Sequence, residues 1–297
     1  MPALHRWPVT RRLARAATWL GVATAAGLAV GCGSKIPDPP EPTDSYVALG
    51  DSYTSGPGIP VVVQGPCFRS SNNYPHQVAA ALPDTTLTDV SCAGAATRGL
   101  TNRQPTGLSI EQPQLDAVTA ATDLVTLSIG ANDSHFFSSV VVGCTLLRDT
   151  DPTGAPCRDR YVSDGQNKLL PVVDETERQI ETMVRLVRDR APEARILLVG
   201  YPQMVPASGT CDLLPLATGD YLFVRTSFQR VIDAQRRAAA ATGVEYVDVQ
   251  AVVAGHDICA ADPWIAGVVD HPGEAAAWHP YVAEQAAVAD EILRLLK

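Results

Sequence analysis

The stretch YVALGDSYTSGPG, Tyr46 to Gly58, decides how the chain is read. A short apolar run, Tyr46 to Leu49, stops at Gly-Asp-Ser and passes into a glycine-rich turn. This is the pattern of a buried strand with a serine held at its tip among small residues. Four more segments have a similar character: 86–90, 124–129, 196–200 and 244–249. Segments 73–82, 112–121, 173–190 and 221–241 lie between the strands and carry apolar residues at three- and four-residue spacing, as amphipathic helices do. A last helix is expected over 280–296, with Pro280 at its first position. Alternating strands and helices predict one three-layer α/β/α domain on a five-stranded parallel sheet. Residues 100–111 and 141–170 lack strong periodicity and read as long loops.

The bulk composition fits that reading. The chain has 297 residues, 46% of them hydrophobic and 19% charged, which allows a large core. Its formal net charge is -9, which argues against a nucleic-acid surface. Only the N-terminal stretch is basic. Arg6, Arg11, Arg12 and Arg15 precede an apolar run over 16–30 that is short for a membrane span, so residues 1–31 read as an export signal. Thr10-Arg11-Arg12-Leu13 hints at a twin-arginine signal. Leu28-Ala29-Val30-Gly31-Cys32 resembles a bacterial lipobox, with Ala29 where that pattern prefers Leu. Cys32 would then be the lipidated end of the mature chain, with residues 32–43 as a Pro-rich tether and 44–297 as the folded domain.

Seven cysteines, less Cys32, leave six. In an exported chain these are expected as disulfides. Sequential pairing, Cys67 with Cys92, Cys144 with Cys157 and Cys211 with Cys259, is the simplest of fifteen connectivities. No CxxC or HxxxH spacing is present, so neither a metal nor another cofactor is expected.

An open parallel sheet binds ligands beyond the carboxyl ends of its strands. Residues just past the predicted strands are therefore the candidates. Asp51 and Ser52 follow the first, Cys92 to Ala95 the second, and Gly130 to Asp133 the third. His271 and His279 lie beyond the fifth. A serine hydroxyl needs a histidine to become a nucleophile. The oxyanion it creates needs preorganised donors, which the Ser52 N–H, the Gly94 backbone and the Asn132 amide would supply. Ser52 taken alone also reads as a helix cap, and Asp133 as a cap for the segment after it. His271 is the rival base. His279 is favoured because it sits directly before the final helix, which returns it over the sheet. Asp51 reads as a partner for the loop that holds Ser52.

These blocks resemble those of the SGNH (GDSL) hydrolases, and within them the exported, disulfide-bearing esterases and lipases of actinobacteria. Gly50-Asp51-Ser52-Tyr53, Gly94, Gly130-Ala131-Asn132-Asp133 and Trp278-His279-Pro280 match four blocks in order over residues 44–297. The six-cysteine spacing resembles the three bridges of that subgroup. The resemblance implies a flavodoxin-like fold and an acyl-ester hydrolase, with Ser52 as nucleophile and His279 as base. The Ser52 N–H, Gly94 and Asn132 would form the oxyanion hole. It commonly places Asp three residues before the histidine, where this chain has Ala276. A Ser–His dyad is therefore expected, with the Ala276 carbonyl orienting the imidazole and Asp270 and Glu274 as outside candidates. Ile59, Val61, Val62, Phe136, Phe137 and Val140 are expected near a fatty-acyl pocket. The expected protein is a monomeric, envelope-anchored esterase or lipase acting on small-molecule or lipid esters. A carbohydrate O-acetylesterase and a non-catalytic surface lipoprotein are the alternatives.

Overall fold

Five strands form one parallel sheet in the computed structural model, which describes residues 43–63, 65–107 and 109–297. The expected export signal, Cys32 and nearly all of the tether lie outside the described residues. In chain order the strands are β1 (Ser45–Gly50), β2 (Thr86–Asp89), β3 (Leu124–Ser128), β4 (Arg195–Val199) and β5 (Glu245–Val247). They lie side by side in the order β2-β1-β3-β4-β5, and every neighbouring pair is parallel. This is the flavodoxin-like order, and it reverses between β1 and β3.

The pleat explains why the central strands are apolar throughout. Val47 and Leu49 of β1 face one helical layer, while Tyr46 and Ala48 face the other. The first layer holds α3 (Leu170–Arg190) and α4 (Tyr221–Thr242), which pack on each other. Val173, Thr176, Ile180, Met183, Val184 and Val187 form the buried stripe of α3. The second layer holds α2 (Tyr74–Ala81) and α5 (Val282–Leu296), also packed together. A single turn, α1 (Ser52–Ser55), follows β1 directly.

Three expectations of local structure are corrected. β2 is an edge strand with Thr86 and Thr88 exposed, because only β1 flanks it. Residues 112–121 form no α-helix. Pro113 precedes a single 3₁₀ turn, Gln114–Ala117, and the Gln114 side chain bonds both Gly50 N and Gly50 O, so it serves the end of β1 instead. Residues 141–170 are no loop. They hold the helices Gly143–Leu147 and Pro156–Tyr161 and a small hairpin, with Cys144 and Cys157 joined beneath them. The other bridges join Cys67 to Cys92 and Cys211 to Cys259. The final helix begins at Val282, two residues after Pro280.

Candidate active site

The carboxyl ends of β1 and β3, where the strand order reverses, carry the first and third blocks, and Gly94 follows β2. Gly50 ends β1 where space is shortest. A Cβ there would stand 2.3 Å from Thr54 Oγ1 and 2.7 Å from the Ser128 carbonyl oxygen. Only glycine lets α1 fold back this closely on β1 and β3. Asp51 caps the turn, its carboxylate accepting the Tyr53 N–H at 2.9 Å. Ser52 is therefore not the cap. It is the first residue inside the turn, and its hydroxyl bonds no other group among the described residues.

The Asp51 carboxylate organises the block. The Tyr201 hydroxyl donates to it at 2.5 Å and accepts the Ala131 N–H at 3.1 Å. The Asn132 amide donates to Ala95 O at 3.0 Å, and its other N–H faces Asp51 at 3.5 Å, the outer limit of a bond. Burial pushes the Asp51 carboxyl up to about 7, against the lowering pull of Tyr201 and the Tyr53 N–H. Gly94 adopts a φ of +75°, and among the described residues nothing beyond its chain neighbours lies within 4 Å of where its Cβ would stand. Its loop is tied down by the Cys67–Cys92 bridge and by the Ala93 N–H bond to Cys67 O. Asp133 is no cap for its own segment. Its carboxylate accepts the Thr97 N–H and hydroxyl, which couples the Asn132 turn to the segment after Gly94.

His279 approaches from the C-terminal side. Its Nδ1 lies 2.8 Å from the Ala277 carbonyl oxygen. That bond keeps the proton on Nδ1 and leaves Nε2 as the basic nitrogen. The expected Ala276 carbonyl is corrected here, since it accepts the His279 backbone N–H and not the ring. The backbone turns between these residues, with Trp278 at φ +67°, and this brings the Ala277 carbonyl under the ring. Asp270 does not bond the imidazole either. It accepts the Ala277 N–H at 2.7 Å and so holds the residue that holds the ring. Burial lowers the His279 pKa, opposed by the Ala277 bond and by Asp270. His271 has its ring against Tyr281 instead. His256 stacks on Trp264.

Tyr53 ties the serine block to the histidine block. Its hydroxyl donates to the Trp278 carbonyl at 2.8 Å, and its ring lies 5.8 Å from the imidazole. Phe137 lines the same side, 6.5 Å from the His279 ring. Ile59, Phe136 and Val140 are fully buried core residues, so they line no open pocket. Val61 and Val62 are exposed. A groove of about 520 Å³ opens on Gly94 and Asn132, with Gln104, His135 and Ser138 among its lining and neither Tyr53 nor Phe137. A second cavity, about 420 Å³ between Gln203, Arg225 and Gln250, is lined by none of the candidate residues. The sequence pattern did not point to Tyr201, Gln285 or Glu284. Tyr201 lies just past β4, where the rule applied to the other strands would have found it. Gln285 links Tyr53 O to Tyr74 N from inside α5, and no local signal marks such a residue.

The arrangement matches a known family. The profile of the GDSL-like Lipase/Acylhydrolase family matches residues 48–282. The chain belongs to the GDSL lipase family. Lipase 2 of Streptomyces coelicolor is 40% identical to it, with 86% of each chain covered. An esterase of Streptomyces scabiei is 33% identical, covering 89% of this chain and 86% of its own. Among solved structures, phospholipase A1 of Streptomyces albidoflavus superposes with a TM-score of 0.70 at 27% identity, covering 86% of this chain and 100% of that one. The extracellular lipase of Streptomyces rimosus superposes at 0.69, also at 27% identity, covering 85% and 99%. This GDSL-family protein is a carboxylic ester hydrolase.

Proposed function

We propose that the protein hydrolyses acyl esters through a Ser52 acyl-enzyme, outside the cell and tethered to its envelope through Cys32. His279 Nε2 takes the Ser52 hydroxyl proton as the oxygen attacks the ester carbonyl carbon. The oxyanion is met by the N–H groups of Ser52 and Gly94 and by the Asn132 N–H that gives up its long contact with Asp51. Collapse breaks the bond to the alcohol oxygen, which leaves with the proton from His279. Water then repeats the sequence on acyl-Ser52 and releases the acid. The Ala277 carbonyl and, behind it, Asp270 steady the imidazolium in place of a triad acid. The observation that carries this reading is the Nδ1 bond to Ala277, which leaves Nε2 free on a ring tied to the serine block by Tyr53.

Export and anchoring rest on the N-terminal sequence, and the likeness to an extracellular lipase of Streptomyces rimosus supports export. Replacement of Cys32 by Ala is expected to move the protein from the membrane fraction to the medium.

The catalytic test is p-nitrophenyl butyrate turnover against pH. Because burial lowers the His279 pKa, kcat/KM holds through neutral pH and falls on the acid side of the ordinary histidine range. A profile flat through that range contradicts a histidine base. Ser52→Ala is expected to abolish turnover, and equal rates for wild type and variant would favour a binding protein.

A further inference from the structure

Building on the proposed esterase, we infer that the groove beside Gly94 and Asn132 holds an anionic group on the alcohol part of the substrate, a phosphate monoester or a comparable compact oxyanion. Two parts of the candidate site differ in chemistry. The part that carries Tyr53, Phe137 and Ala277 is apolar, and the Gly267 carbonyl that accepts the Trp278 N–H leads to exposed Val268, whose N–H bonds the carbonyl of exposed Leu213. An acyl chain loses least there. The groove at Gly94 and Asn132 has none of these residues in its lining and is lined instead by Arg98 and Arg103 together with Asn102, Gln104 and His135.

Both arginines are exposed, and neither has an ion-pair partner among the described residues. Nearby acids are committed elsewhere. Asp133 turns its carboxylate inward to Thr97 and feels the Arg98 charge without forming an ion pair with it, and Glu175, which shares the adjoining cavity with Arg98, is bound by Arg178 and Gln179. A chain of net charge -9 repels anions at long range, so two guanidinium groups that line one groove with Gly94 and Asn132 and hold no ion pair are a local exception. Guanidinium groups match phosphate oxygens through paired N–H bonds, and an aliphatic chain gains nothing over them.

The test compares two soluble esters that differ only in the phosphate, 1-butyrylglycerol 3-phosphate and 1-butyrylglycerol, on the full chain. The expected kcat/KM ratio favours the phosphorylated ester by about tenfold or more at low salt and shrinks as salt is added. Arg98→Ala with Arg103→Ala collapses the ratio toward one, and Arg98→Lys with Arg103→Lys restores part of it. A ratio near one in the wild type overturns the inference, as does a double alanine variant in which both esters slow equally. Vesicles of phosphatidate and of neutral diacylglycerol form a parallel arm. A preference seen on vesicles but absent with the soluble pair assigns the effect to surface charge and also overturns it. p-Nitrophenyl butyrate serves as control. If that ester is not cleaved, the esterase reading itself has failed. If it is cleaved without phosphate preference, only the subsite has failed.

Discussion

Tyr53 shows how much of this site depends on single hydrogen bonds. It follows the candidate nucleophile, yet its hydroxyl reaches the carbonyl just before His279, 225 residues further along the chain. Tyr53→Phe keeps the ring packing and removes the bond. It leaves the Trp278 carbonyl without that partner, at a cost of about 1–3 kcal/mol in stability. The histidine loop then loses one of its ties to α1, so kcat is expected to fall about tenfold with little change in KM. Steady-state kinetics beside a thermal melt check this. Loss of stability with kcat intact would mean that Tyr53 only packs. Asp270 acts at one further remove, because it grips the Ala277 backbone and not the ring.

At the scale of elements, the five strands were legible along the chain and the paths between them were not. Apolar runs ending in Gly or Asp identify β1, β3 and β4, because strands covered on both faces can carry little else. The same signal overstated β2, whose edge position no local pattern reveals. Apolar residues at three- and four-residue spacing likewise turned 112–121 into a helix, although Pro113 and the demand of Gly50 for a partner hold Gln114 in a short turn. Three candidate blocks were legible because they sit just past strand ends, and the fourth because it precedes the final helix. The Ala277 carbonyl was not, since its aim depends on the positive φ of Trp278. The Cys67–Cys92 bridge links the loop after α1 to the loop bearing Gly94 and closes 25 residues. Loop-closure entropy assigns it about 3–4 kcal/mol. Cys67→Ala with Cys92→Ala is expected to lower Tm by about 10 °C and to reduce kcat through the freed Gly94 loop. Calorimetry with unchanged Tm would contradict the first expectation, and unchanged kcat the second.

The whole molecule carries an unusual load of buried acid under the site. Burial raises Glu284 in α5 from 4.5 to about 8, opposed by its bond from Gln285, and raises Asp51 from 3.8 to about 7. In both cases the folded state holds a proton that the unfolded chain has released. Their contribution to stability is therefore fully present below the unfolded values and is lost as pH rises through about 7 to 8. Tm is expected to decline from the unfolded values, 3.8 and 4.5, up to about 8 and to level off above, and Glu284→Gln, which keeps an acceptor for Gln285, should flatten the decline. An identical slope in wild type and variant would show that Glu284 does not titrate there. The central claim is that the sheet reversal between β1 and β3 delivers Ser52 and its oxyanion donors to one imidazole. Acid-quenched turnover of p-nitrophenyl butyrate, followed by peptide mass spectrometry, tests it most directly. The expected result is a butyryl group on the peptide containing Ser52 in the wild type and none in His279→Ala. A butyryl group on another residue, or the same yield without His279, would contradict it.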